Sequence, residues 1–220
     1  MPAPRRTAVF GGSFNPIHTG HLLLADEVLE LLALDRVLFV PAAMPPHKAP
    51  ATLASASDRY AMVALAVGTH PRFEVSDVEV RRTGPSYTVD TLEALSATGD
   101  VLHLVIGSET FLDLLSWREP RRIAELARLV VVPRAGSLFD PESDAAQKVV
   151  REIGLDGFAR GGGGRAPDRR VLIAAVTSLP ISASDLRARV REGRSLAYRM
   201  PEAVAAYVRA RGLYRGEGAR

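Results

Sequence analysis

Two histidines three residues apart, next to a cluster of glycines, are the chemistry-bearing feature of this chain. The stretch is Gly11-Gly12-Ser13-Phe14-Asn15-Pro16-Ile17-His18-Thr19-Gly20-His21. It follows the apolar run Thr7-Ala8-Val9-Phe10 and precedes the amphipathic run Leu22 to Leu34, so the order reads strand, turn, helix. Such a turn gathers bare backbone N–H groups and a helix N-terminus at one point, which attracts phosphate. His18 and His21 share one face of the first helical turn. Small residues at Gly11, Gly12 and Gly20 let a ligand approach the backbone closely. The glycine spacing is not that of a dinucleotide fingerprint, and no GK[ST] follows as in a P-loop.

A second anion cradle lies near the other end. Ser178-Leu179-Pro180-Ile181-Ser182-Ala183-Ser184-Asp185-Leu186-Arg187 reads as a helix start with Ser182 as N-cap and Asp185 at N3. Ile181 and Leu186 fit a hydrophobic staple. Ser184 and Arg187, three apart, share a face, so a hydroxyl and a guanidinium join the free N–H groups. Taken alone, the segment reads equally as plain helix capping.

These residues must be held by alternating strands and helices. Strands are expected at Arg6 to Phe10, Arg36 to Val40, Phe73 to Ser76, Val78 to Val80, Val101 to Ile106, Leu129 to Val132 and Val171 to Ala174. Helices are expected at His18 to Leu34, Ala56 to Gly68 (with Met62, Leu65 and Ala66 inward), Thr88 to Ser96, around Phe111-Leu112 and Ile123 to Ala127, Ser184 to Glu192 and Pro201 to Arg211. Apolar strands separated by helices imply an α/β fold, a Rossmann-like doubly wound parallel sheet with helices on both faces. Residues 1–220 are read as one domain with a small C-terminal helical part at about 181–214. Ligands bind such sheets at the carboxyl ends of the strands, so the turns after Phe10, Val40 and Ile106 should converge. The segment Gly161 to Gly164 is expected to be a flexible surface loop.

Composition excludes several classes. The 220 residues are 47% hydrophobic and 24% charged, as in ordinary globular chains. No apolar run reaches the ~18 residues a membrane helix needs. The first residues lead straight into a strand, so no signal peptide is expected and a cytoplasmic place is. There are no cysteines, hence no disulfides or thiolate metal sites. The net charge of +3 comes from dispersed basic residues, which predicts no nucleic-acid partner but suits small anions. Of the 28 basic residues only Lys48 and Lys148 are lysines.

The first motif resembles the GxFxPxHxGH signature of nucleotidylyltransferases, and Ile181 to Arg187 resembles the ISxTxxR motif that partners it, with Ser184 where threonine is common. Pro41-Ala42-Ala43-Met44-Pro45-Pro46-His47-Lys48 looks like the PxxxPPHK loop of bacterial nicotinate-nucleotide adenylyltransferases. Ser86-Tyr87-Thr88-Val89-Asp90-Thr91-Leu92 looks like their SYTxDTL segment. Ile106-Gly107-Ser108-Glu109 with Leu114 to Arg118 looks like their IGxDxxxxLxxW stretch. The chain departs from these patterns at Asn15 and Glu109, where aspartate is usual, and at Arg118. The stretch from Gly136 to Asp168 is longer and more glycine-rich than the pattern.

This resemblance implies transfer of AMP from ATP to nicotinate mononucleotide, giving nicotinate adenine dinucleotide and pyrophosphate. His18, His21, Lys48 and Arg187 would be catalytic. Gly11, Gly12, Ser13, Phe14, Ile106, Gly107, Glu109, Ser182 and Ser184 would bind ATP. Thr88, Val89, Trp117 and Arg118 would bind nicotinate mononucleotide, with Trp117 stacking on the pyridine ring. Magnesium would arrive on ATP, with no protein metal site, and a homo-oligomer is compatible with the chain. Rival readings are the same chemistry on nicotinamide mononucleotide or phosphopantetheine, and a nucleotide sensor without chemistry. The segments around Thr88 and Trp117 speak against phosphopantetheine.

Overall fold

The structure is a computed structural model describing residues 3–46, 53–133, 138–161 and 169–215. Its frame is a seven-stranded sheet whose described pairs are all parallel. The strands are β1 (Arg6–Gly12), β2 (Arg36–Pro41), β3 (Phe73–Val75), β4 (Val101–Gly107), β5 (Arg128–Val132), β6 (Phe158–Arg160) and β7 (Val171–Ile173), in spatial order β3-β2-β1-β4-β5-β7-β6. Around them run α1 (Thr19–Leu31), α2 (Ala56–Val67), α3 (Val78–Arg81), α4 (Thr88–Ser96), α5 (Ser108–Leu112), α6 (Pro120–Leu126), α7 (Asp144–Glu152), α8 (Ala183–Arg191) and α9 (Glu202–Ala210).

Alternate strand residues point to opposite sides, and helices cover both faces of the sheet. Ala8, Val37, Phe39, Val105 and Val130 enter one core with Val28 of α1, Met62 of α2, Leu186 of α8 and Val204 of α9. Val9, Leu38, Val40, Leu104 and Val131 enter the other with Leu92 of α4, Phe111 of α5, Ile123 of α6 and Val149 of α7. That is why these strands read as unbroken apolar runs rather than alternating ones. The chain leaves β1 toward β2 and β3, then returns to β4 on the other side. Strand order therefore reverses between β1 and β4, where a doubly wound sheet opens its ligand crevice.

Three expectations need correction. Val78 to Val80 is helix, not strand. Ser76 N–H gives the last ladder bond, to Phe39 O at 2.8 Å, and the Ser76 hydroxyl then accepts from Val78 N–H and turns the chain. Arg81 closes the turn on Asp77, whose carboxylate accepts from Arg81 Nε at 2.6 Å. Leu65 is 42% exposed while Met62, Val63, Ala66 and Val67 are buried. At 100° per residue Leu65 falls well to one side of the stripe those four define. Gly161 is no slack loop residue. Its N–H donates to Ile173 O at 2.8 Å, and a Cβ there would meet Leu32 Cδ2 at 2.8 Å. The rest of that segment, Gly162 to Gly164, lies outside the described residues. Inside the glycine-rich stretch stands α7, capped by the Ser143 hydroxyl and burying Ala146, Val149 and Val150.

Candidate active site

The strand-to-helix turn after β1 is built by close approaches that favour glycine at two positions. A Cβ on Gly12 would stand 3.0 Å from the Phe14 ring, and a Cβ on Gly20 3.1 Å from His18 Nδ1. Gly11 is exposed and faces open space, leaving its backbone accessible. Phe14 adopts a left-handed backbone, φ +43°, and buries its ring against Phe10, Phe39 and His21. Its side chain is thus a wedge under the turn; only its backbone can face a ligand. The parallel register sets Gly11 beside Val40 and Gly12 beside Pro41. On the other edge of β1 the pairing with β4 runs to Val9 opposite Leu104 and no further. The ends of β1 and β2 lie side by side, and β4 flanks β1 on its other edge.

His18 caps α1 and is 7% exposed. Burial lowers its pKa to about 4, so it is neutral near pH 7. Its Nδ1 has no hydrogen-bond partner among the described residues. His21 stacks on it with ring centroids 3.7 Å apart. The His18 backbone N–H donates to His21 Nδ1 at 3.2 Å. A backbone amide can only donate, so His21 Nδ1 carries no proton and the neutral ring bears its hydrogen on Nε2. The N-cap amide thereby makes His21 Nε2 a donor.

Ser182 caps α8, its hydroxyl accepting from Asp185 N–H at 3.1 Å, and both Ile181 and Leu186 pack in the first core. Arg187 Nη2 donates to the Ser184 hydroxyl at 3.1 Å, and Nη1 to the backbone oxygen of Asn15 at 2.8 Å. The two sequence-distant motifs are therefore bonded to each other. Leu179 also packs beside Gly20, 3.9 Å from a Cβ placed there.

On the other side of the crevice α4 starts at Thr88 with no side-chain cap. Val89 is 1% exposed, so only its backbone amide can meet a ligand. The Arg118 guanidinium lies 5.1 Å over the Tyr87 ring and 3.9 Å from the Asp90 carboxylate. Trp117 is half-buried and packs against the second core. Glu109 is exposed on the first turn of α5, directly after Ile106 and Gly107. The segment after β2 joins the two sides. Ala42 N–H donates to Gly12 O at 2.9 Å, Ser86 N–H to Met44 O at 2.9 Å, and Met44 N–H to the Ser86 hydroxyl at 3.1 Å. Lys48 lies outside the described residues.

The sequence model of the cytidylyltransferase-like family matches residues 9–189, a span holding both anion cradles. The chain belongs to this family. Within it, a curated relative from Thermus thermophilus is 43% identical over 212 residues, covering 96% of this chain and 100% of its own. One from Roseiflexus castenholzii is 43% identical over 214 residues, covering 96% and 98%. Both are named as probable nicotinate-nucleotide adenylyltransferases, and the chain is a member of that group. Among solved structures, the Plasmodium falciparum nicotinic acid mononucleotide adenylyltransferase complexed with NaAD superposes with a TM-score of 0.72 at 16% identity. The match covers 96% of this chain and 97% of that one, a likeness of fold.

Beyond its family motifs, this nucleotidyltransferase has supporting residues that the sequence reading missed. Arg59 of α2 is 1% exposed and donates to four backbone carbonyls, those of Ser13, Ala42, Ala43 and Ala54. It fastens the phosphate turn to both ends of the 42–54 segment. A lone arginine on an otherwise apolar helix face was the available signal. Asn15 Oδ1 accepts from Ala54 N–H at 3.0 Å and from the Tyr214 hydroxyl at 2.8 Å. Neither contact leaves a mark in local sequence.

Proposed function

We propose that this chain transfers the AMP group of ATP to nicotinate mononucleotide, releasing pyrophosphate. The observation that carries the reading is the Arg187–Asn15 bond, which unites two anion cradles at the sheet's crevice in a member of the nicotinate-nucleotide adenylyltransferase group. A 5′-phosphate oxygen of the mononucleotide attacks the α-phosphorus in line. The bond from that phosphorus to the bridging oxygen breaks, and its electrons leave with pyrophosphate. The attacking phosphate is already an anion near pH 7, so no protein nucleophile is needed. Positioning and charge neutralisation are the task.

His21 Nε2–H donates to oxygens of the reacting phosphate, with neutral His18 stacked behind it. Gly11, Gly12, Ser13 and the Phe14 backbone form the floor under the nucleotides. Arg187, Ser184, Ser182 and Lys48 receive the leaving pyrophosphate. The Ser182 hydroxyl uses its oxygen as the helix cap and keeps its hydrogen to donate. Ile106, Gly107 and Glu109 face the adenosine. The Thr88 and Val89 amides, at the positive end of α4, favour the nicotinate carboxylate, and Trp117 and Arg118 border the pyridine ring. Magnesium enters as the ATP complex. The N–H donors of the turn and the Arg187 guanidinium suit phosphate oxygens rather than a metal ion. No described helix is long and apolar enough to cross a membrane.

The test is pyrophosphate release from MgATP with nicotinate mononucleotide, nicotinamide mononucleotide and phosphopantetheine in parallel. Turnover with the first, and at least tenfold less with the others, is expected. Turnover only with another acceptor removes the α4 assignment. ATP binding without turnover on any acceptor overturns the reading in favour of a sensor.

A further inference from the structure

Tyr214 lies after α9 and far along the sequence from the glycine-rich turn of the first phosphate motif. Its backbone is left-handed, φ +64°, which is uncommon for a bulky side chain. Gly212, φ +60°, precedes it and ends α9. The Tyr214 hydroxyl donates to Asn15 Oδ1 at 2.8 Å across 199 residues. Asn15 is 3% exposed, and its own backbone oxygen accepts Arg187 Nη1 at 2.8 Å. One residue of the phosphate turn therefore takes bonds from the C-terminal segment and from the arginine of the second cradle.

The approach of that segment is itself fixed. Asp58 Oδ1, at the start of α2, accepts from the Tyr207 hydroxyl at 2.8 Å and from Arg211 Nε at 3.2 Å. Val204, Ala205 and Val208 of α9 share the first core with Met62 and Val63 of α2. Thus α9 is held against α2, and the residues after it are delivered to Asn15.

We infer that Tyr214 is a positioning residue for the phosphate site: through Asn15 it holds the turn where Arg187 and the helix α1 amides meet the ATP phosphates. The inference rests on the proposed reading of that turn as the ATP site. Tyr214→Phe removes one hydroxyl and keeps the ring, and Asn15 Oδ1 retains its Ala54 partner, so the fold persists. Loss of one such bond predicts about tenfold lower kcat/KM for MgATP and about tenfold weaker MgATP binding by calorimetry. The KM for the mononucleotide stays within twofold, a split that general loosening of the fold would not give.

A double-mutant cycle with Asn15→Ser decides the route. In the Asn15→Ser background Tyr214→Phe should change MgATP affinity less than twofold. The same tenfold loss there, or wild-type affinity in the single variant, overturns the inference. If wild-type protein binds MgATP but turns over no acceptor, the proposed function fails while the calorimetric cycle still decides the role of Tyr214.

Discussion

Acid should unfold this protein through two buried histidines, and the effect can be apportioned. His103 of β4 is fully buried, its Nδ1 3.2 Å from Val101 O and its Nε2 without a partner among the described residues. Burial lowers its pKa to about 4; the Val101 carbonyl opposes this, and Arg128 and Arg6 add to it. His18 is lowered to about 4 by burial alone. In the unfolded chain each returns to about 6.5 and binds a proton more readily. Both are neutral in either state above that value, so they oppose folding nowhere there. As pH falls from 6.5 toward 4 the unfolded state takes up protons that the folded state refuses, and stability is lost. At pH 5 the loss relative to pH 7.5 is about 2 kcal/mol per histidine, so about 4 kcal/mol for the pair. Urea unfolding at the two pH values measures it. His103→Leu puts an apolar side chain of similar reach in its place and removes one titration, so its stability should fall by about 2 kcal/mol less than the wild type's between those pH values. Any baseline change cancels in the difference. Equal pH dependence in variant and wild type would refute the reasoning, because it would leave His103 with no part in proton-linked unfolding.

Other consequences follow from the site's geometry. His21→Ala and Arg187→Ala should each lower turnover by about 100-fold or more with unchanged circular dichroism, since each removes a donor aimed at developing charge; steady-state kinetics checks this. Gly20→Ala places a methyl group 3.1 Å from His18 Nδ1. It should displace the stacked pair and cut kcat by about tenfold or more while the melting temperature moves only a few degrees. Arg59→Met leaves four carbonyls without their shared donor. Urea unfolding should show a loss of about 3 kcal/mol or more, as for other buried charged networks that lose one partner.

Much of the local structure is legible in short windows of sequence. The helix at Thr88–Ser96 was placed residue for residue, and the Ser182 cap and its staple stand as expected. Capping, glycine turns and apolar runs are decided by groups within a few residues of one another. The errors also have local causes. Val78-Glu79-Val80 alternates like a strand, but β3 ends at Val75 and Ser76 and Asp77 turn the chain into a helix. The α7 helix stands between Gly136 and Gly154, and only its Ser143 cap and its Val149 and Val150 face mark it in the sequence.

The sequence by itself determined the strand–turn–helix with its two histidines, the second cradle around Arg187, the doubly wound class and the family. Each rests on spacing within a short window, where backbone geometry leaves few choices. Only the tertiary structure decided that Arg187 reaches Asn15, that Arg59 ties Ser13 to the 42–54 segment, that the His18 amide fixes the proton on His21, and that Tyr214 closes on the same turn. Three of these four contacts join residues 46 to 199 apart, whose meeting depends on helix packing and sheet order rather than on any periodic pattern. The fourth is local, but its donor and acceptor are assigned only once both atoms are in place.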